Sequence, residues 1–174
     1  MPTQKRLIDI YWDPLFDTIY DSWFEELASE KLSQEWRSID MIAKFFVAVT
    51  ASGSAVAGWA FWTNPIGKDV WAVLAGAASV LSIVNGVIQV PDKVKLQESL
   101  ANDYRKLRVD LDTFRLNLKI GIDKDKAFST WNGLRQRYED LMGRTPPDML
   151  FTKSLSNKIK SELGEDLKAK GYIK

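Results

Sequence analysis

The chain reads as all-α: a two-span transmembrane helical hairpin with an N-terminal amphipathic helix before it and a C-terminal cytoplasmic helical hairpin after it. Two stretches, 45–67 and 70–91, hold no charged residue over 23 and 22 positions. About 20 mainly apolar residues in a helix suffice to cross a hydrocarbon core of roughly 30 Å. From Leu100 onward apolar residues recur at helical spacing, and no segment alternates with the two-residue period of a strand. Three segments follow: 1–44, N-terminal helices leading into the first span; 45–91, the hairpin; and 92–174, the cytoplasmic helices.

Asp13 can cap a helix and Pro14 suits a first helical position, so the first helix is expected to start there. Phe16, Ile19, Tyr20, Trp23, Phe24 and Leu27 then form an aromatic-rich apolar face. Helices that lie on a bilayer surface are ordinarily rich in Lys and Arg on their polar side. This one is acidic, so its face is expected to pack on protein. Asp9, Asp13, Asp17, Asp21 and Glu25 follow one another at intervals of four. On one helix they would make a like-charge stripe, read as a solvated face, a cation site or a dock for the basic C-terminal helices. A second helix is expected from near Ser33 through Trp36, Asp40 and Lys44 into the first span.

Between the two uncharged stretches stand only Lys68 and Asp69, beside the turn residues Asn64, Pro65 and Gly67. So short a connection forces an antiparallel hairpin. Trp59, Trp62 and Trp71 gather at its closed end, where indole rings favour the water–lipid boundary. Lys31, Arg37, Lys44, Lys93, Lys95 and Arg105 flank the open end, so the positive-inside bias places both termini in the cytoplasm. Gly53, Ala57, Gly58, Ala78 and Gly86 belong to small-xxx-small pairs that allow helices to approach closely. The competing reading is a buried hairpin in a soluble protein. A mean hydropathy of −0.21 favours it, although long polar tails dilute any local signal.

After the second span, Leu100, Tyr104, Leu107, Leu111, Phe114 and Leu118 set out a heptad seam. It is expected to continue the second span as one long rod, stopped at Gly121. Ala127, Trp131, Leu134, Tyr138 and Leu141 repeat the seam in a second helix that ends near Gly143 and Pro146-Pro147. Leu155, Ile159, Leu163 and Leu167 give 155–170 an apolar face.

Chemistry is narrowed by what is missing. With no Cys and no His, disulfides, thiolate nucleophiles, Cys/His zinc sites and histidine acid–base catalysis are excluded. No phosphate-binding loop, dinucleotide fingerprint or metal-ligand motif is present, so no active site and no cofactor is predicted and an enzyme is not expected. Polar residues inside a span need partners. Ser82, Asn85 and Gln89 fall on one helical face, as do Thr50 and Ser54. They read either as the lining of a water-filled path in an oligomer or as hydrogen-bond glue between helices. Lys93, Lys95, Arg105, Lys106 and Arg108, just past the second span, are candidates for anionic lipid headgroups, though topology alone asks for such charges. The two ends are opposite in sign: five Lys/Arg against nine Asp/Glu in 1–44, eighteen against thirteen in 92–174. With acids interspersed and no reader motif, nucleic acid is not an expected partner.

Two spans joined by a tight loop, then a long helix and further cytoplasmic helices, resemble the SLATT family of bacterial two-span effectors. The stretches AVTASGSAVAGWAFW and WAVLAGAASVLSIVNGVIQVPDKVKLQ and the heptads after them carry the likeness, over about Trp36 to Leu141. It is one of layout and texture and brings no catalytic residues with it. It implies a homo-oligomer of the bacterial inner membrane that permeabilises the bilayer on a signal in anti-phage defence, with a signalling nucleotide or soluble partner at the cytoplasmic helices. The alternative is a non-conducting anchor or scaffold that recruits a soluble partner through those helices.

Overall fold

A computed structural model of the chain describes residues 7–62, 69, 73, 76–80, 83 and 88–173, with side chains described only to 48 in the first of these ranges. The secondary structure among the described residues is all helical. We number the helices α1 (Leu7–Trp62), α2 (Val90–Ile120), α3 (Lys124–Arg144) and α4 (Lys153–Ala169); residues 69, 73, 76–80, 83 and 88 are helical as well. The chain divides into two compact units, one of 1–32 with 97–174, the other of 33–96.

The first unit is a four-helix bundle. Every residue of the α2 heptad seam is buried, from Leu100 to Leu118. On α3 the buried positions are Ala127, Trp131, Leu134 and Leu141, with Tyr138 partly exposed. α2 and α3 run antiparallel, since Arg144 reaches Asp103, Arg137 reaches Asp110, and Phe114 stacks on Trp131. Gly121 joins them at φ 101°, where an L side chain is strained. Its N–H and that of Ile122 both donate to the Asn117 carbonyl and close the end of α2. Asp123 then caps α3, its carboxylate accepting from the N–H groups of Asp125 and Lys126.

The apolar face of α1 packs on protein. Trp23, Leu27 and Ala28 form one core cluster with Ile159, Leu163 and Leu167 of α4, and Phe16, Tyr20 and Phe24 pack against it. Thr152 caps α4 through the Leu155 N–H. At the other end Gly171 (φ 70°) turns the chain so that the Tyr172 N–H donates to the Leu167 carbonyl. That turn sets the Tyr172 ring edge-on to Trp23 and under the Arg115 guanidinium at 4.1 Å.

Three local expectations need correction. α1 begins at Leu7, so Asp13 is no cap and Pro14 lies within the helix. Proline removes one backbone donor and leaves the Ile10 carbonyl without its usual partner; Ile10 is exposed, so water can serve that carbonyl. No second helix starts at Ser33: α1 runs on to Trp62. Ser29, Leu32, Ser33 and Trp36 are all buried, and a buried stripe at helical spacing outweighs the capping preference of one serine. Nor do the second uncharged stretch and α2 form one regular rod. Gln89 sits at φ 53°, in the left-handed region, and α2 starts after it, its first turn receiving the Gln89 carbonyl through the Asp92 and Lys93 N–H groups.

Candidate functional site

In the second unit, described side chains report on the two uncharged stretches at 45–48 and at 73, 76–80, 83 and 88–91. Several are large, apolar and open to the outside: Phe45 is 65% exposed, Val73 71% and Ile83 66%. Val47 and Val80 are exposed too, as are Met41 and Ile42 just before the first stretch. Ala78, a predicted helix-packing residue, is buried, as are Ala43 and Val90. Lys44 pairs with Asp40 at 2.6 Å, one turn back on the same helix, and its side chain stays mostly exposed. Among the described residues no helix is long and apolar enough to cross a membrane.

Of the predicted lining, Gln89 is exposed and its backbone is left-handed at φ 53°, so it does not continue a regular helix. Ser82, Asn85 and Gly86 lie outside the described residues, and so do the side chains of Thr50, Ser54 and Ala57 and the surroundings of Gly58. Gly53 stands in the same helical stretch as the last four.

The predicted basic run divides. Lys93 and Lys95 fall in the second unit, half-buried and exposed respectively, while Lys106, in the first, is exposed. Arg105 and Arg108 instead face α1. Glu26, only 4% exposed, accepts from Arg105 Nε at 2.9 Å and from Arg108 Nε at 2.6 Å, while Arg105 also reaches Glu30. The Glu26 hydrogen bond holds the Arg105 guanidinium above its usual range, with the Glu30 charge adding to the effect. The Arg108 guanidinium also lies over the Trp23 ring, 4.6 Å from its centroid. The dock between an acidic helix and a basic one therefore exists, but Glu26 and Glu30 make it rather than the row ending at Glu25.

In that row Asp9, Asp13, Asp17 and Asp21 are exposed, as a solvated face would be. Asp21 accepts from Tyr138 Oη at 3.3 Å; burial and the Asp21 charge push the Tyr138 phenol well up. Glu25 is half-buried, and burial together with Asp21 pushes its carboxyl above the ordinary range. Among the described residues no group of His, Cys, Asp or Glu is placed to hold a metal ion.

Glu26, Glu30 and Gln97 are the residues that sequence reasoning missed. A signal existed for the first two, since they continue the acids of α1 on the side next to the aromatic face. Gln97 has none. Compared with known proteins, the chain matches no family model, no curated protein and no solved structure. The resemblance to the SLATT family accordingly rests on the residues quoted for it.

Proposed function

We propose that the second unit sits in a bilayer as a two-span hairpin and that copies of it assemble to permeabilise the membrane, with the helical bundle on the cytoplasmic side. Exposure of Phe45, Val73 and Ile83 within stretches that carry no charge carries this reading. Monomeric soluble proteins rarely expose contiguous apolar patches beyond a few hundred Å², whereas hydrocarbon solvates such side chains. The small residues Gly53, Ala57, Gly58 and Gly86 supply faces on which copies can pack, and Ser82, Asn85, Thr50 and Ser54 supply polar groups for a path. The resemblance to SLATT effectors, with their role in anti-phage defence, points the same way. Lys93 and Lys95 remain available to anionic headgroups, while Lys106 pairs with Asp103 at 3.8 Å and Arg105 and Arg108 are engaged with Glu26.

The test is induced expression in bacteria with fractionation and a potential-sensitive dye. The chain is expected in carbonate-washed membranes, with loss of potential on overproduction and relief of that loss by Asn85→Leu with Ser82→Ala. A preserved potential, or equal loss with the double variant, removes the permeabilising function. A second reading, a non-conducting anchor, is favoured by exposed Leu116, Ile120 and Phe128 on the bundle, which offer a soluble partner an apolar contact. Under it, exchange of 45–91 for an unrelated hairpin leaves function intact.

A further inference from the structure

The turn between α3 and α4, residues 145–152, reads TPPDMLFT. Much of its backbone hydrogen bonding is met from within. Pro146 and Pro147 bring no N–H at all. The N–H groups of Thr145 and Phe151 donate to the Met142 and Asp148 carbonyls, and that of Leu150 to Asp148 Oδ1. Asp148 is turned into the bundle, where its Oδ2 accepts from Gln97 Nε2 at 3.0 Å. What the turn presents outward is apolar: Met149 is 70% exposed and Phe151 39%, with Pro147 exposed beside them. Unpaired backbone donors are what keep irregular chain out of lipid, and this turn has fewer of them than its length implies.

Its place in the bundle says what it meets. Leu32 and Gln97, where the chain leaves the bundle for 33–96 and returns to it, line one hollow with Pro146, Pro147 and Phe151. The second uncharged stretch ends at Pro91, and from there to Gln97 the α2 backbone rises about 9 Å. Headgroups occupy roughly 5–7 Å beyond the hydrocarbon on each side of a bilayer. A turn bonded to Gln97 spans the difference with one extended side chain. Charge agrees with such a surface. Between Thr145 and Lys160 stand Lys153, Lys158 and Lys160, all exposed, with Asp148 as the single acid. The opposite end of α2 also shows an apolar residue, Ile120 at 85% exposure. There Asp123 and Asp125 alternate with Lys124 and Lys126, and no uncharged stretch adjoins.

We infer that the 145–152 turn is a further membrane contact, dipping Met149 and Phe151 into the headgroup layer of an anionic bilayer with Lys153 and Lys158 on the lipid phosphates, an assignment that rests on the two-span reading of 45–91. Aromatic and basic side chains are the ones that suit this layer. A soluble partner is the poorer occupant, because the same reading holds this end of the bundle close to lipid. The contact is independent of whether the second unit conducts.

The chain has no Cys, so one introduced by substitution takes a nitrobenzoxadiazole fluorophore at a single place. Full-length Met149→Cys, Ile83→Cys and Ile120→Cys, all at exposed positions, are labelled and reconstituted into vesicles of phosphatidylethanolamine and phosphatidylglycerol, with and without nitroxide-bearing lipid. The label at 149 is expected to shift to the blue and lose emission to the nitroxide lipid, as the label at 83 does, while that at 120 does neither. Exchange of phosphatidylglycerol for phosphatidylcholine, or Lys153→Gln with Lys158→Gln, should reduce the loss at 149 and leave that at 83 unchanged. Loss at 83 without loss at 149 overturns the contact and leaves the two-span hairpin standing. No loss at 83 removes the hairpin from lipid and the contact with it. A blue shift at 149 without quenching means that protein covers the turn, and equal quenching at 149 and 120 means that the label itself seeks lipid; either overturns the assignment, as does a loss at 149 that ignores both charge changes.

Discussion

Glu26 is a buried anion held by two cations of unequal burial, and that inequality decides what each deletion does. Arg108 is mostly buried and sits on Trp23, whereas the Arg105 side chain is half exposed. Arg105→Ala should therefore cost no more than about 1 kcal/mol, the range of solvated pairs. Removing both arginines strands Glu26 with no cation and should cost about 3 kcal/mol, more than the two single losses added together. Urea unfolding of the two single variants and the double variant checks this, and additive losses would refute the shared-anion account. Glu25 behaves oppositely. Its folded carboxyl titrates above the ordinary 4.5 because of burial and Asp21, so its contribution favours folding below pH 4.5 and is lost as pH rises through the raised value. Glu25→Gln should thus raise the unfolding midpoint at neutral pH and do little near pH 4. At this scale the sequence was half legible. Spacing of four put an acidic face on α1, but choosing Glu26 over Glu25 required knowing how the helix is rotated against α2.

Among elements, the seams were read well because period and burial coincide: Leu100 to Leu118 and Ile159 to Leu167 are buried as their spacing demands. The continuity of α1 through Ser33 was not legible, since a capping residue carries no information about which buried stripe continues beyond it. Gly121 was legible, being the residue for a left-handed link. Gly121→Ala, at φ 101° with nothing within 4 Å of the added methyl, meets only backbone strain. It should cost about 1–2 kcal/mol, measured as a shift in thermal unfolding without loss of helical signal. The far end of α4 is fastened by Tyr172, whose hydroxyl donates to Asp112 at 2.7 Å. Burial and that bond push its phenol from 10.0 up to about 12. The raised value means that the fastening is intact below pH 10 and is lost as pH rises through about 12. Near-ultraviolet dichroism of Trp23 should change over that interval. Tyr172→Phe should reduce the step without abolishing it, because Tyr138 is also raised.

For the whole molecule the informative contrast is between a unit with a core of its own and one that turns apolar side chains outward. The bundle of 1–32 and 97–174 has a core of its own, contributed by all four helices, and its charged residues pair at its surface. The unit of 33–96 holds the uncharged stretches and presents Phe45, Val73 and Ile83 outward. All-helical architecture was legible from period alone. The environment of the two uncharged stretches was not, because small apolar residues suit a lipid-facing helix and a buried one equally. Excision separates the two. Leu32 and Gln97 both line the bundle's hollow, so a short Gly/Ser linker in place of 33–96 can join them without forcing the helices apart. The shortened chain should be helical, stay in solution without detergent and unfold in one cooperative transition. The full chain should instead require detergent or lipid. If the full chain stays in the supernatant of a high-speed spin as a monomer, the exposed apolar side chains are not solvated by lipid and the membrane proposal fails. If the shortened chain is unfolded, the bundle needs 33–96 for its stability, and the division into a self-sufficient bundle and a hairpin is wrong.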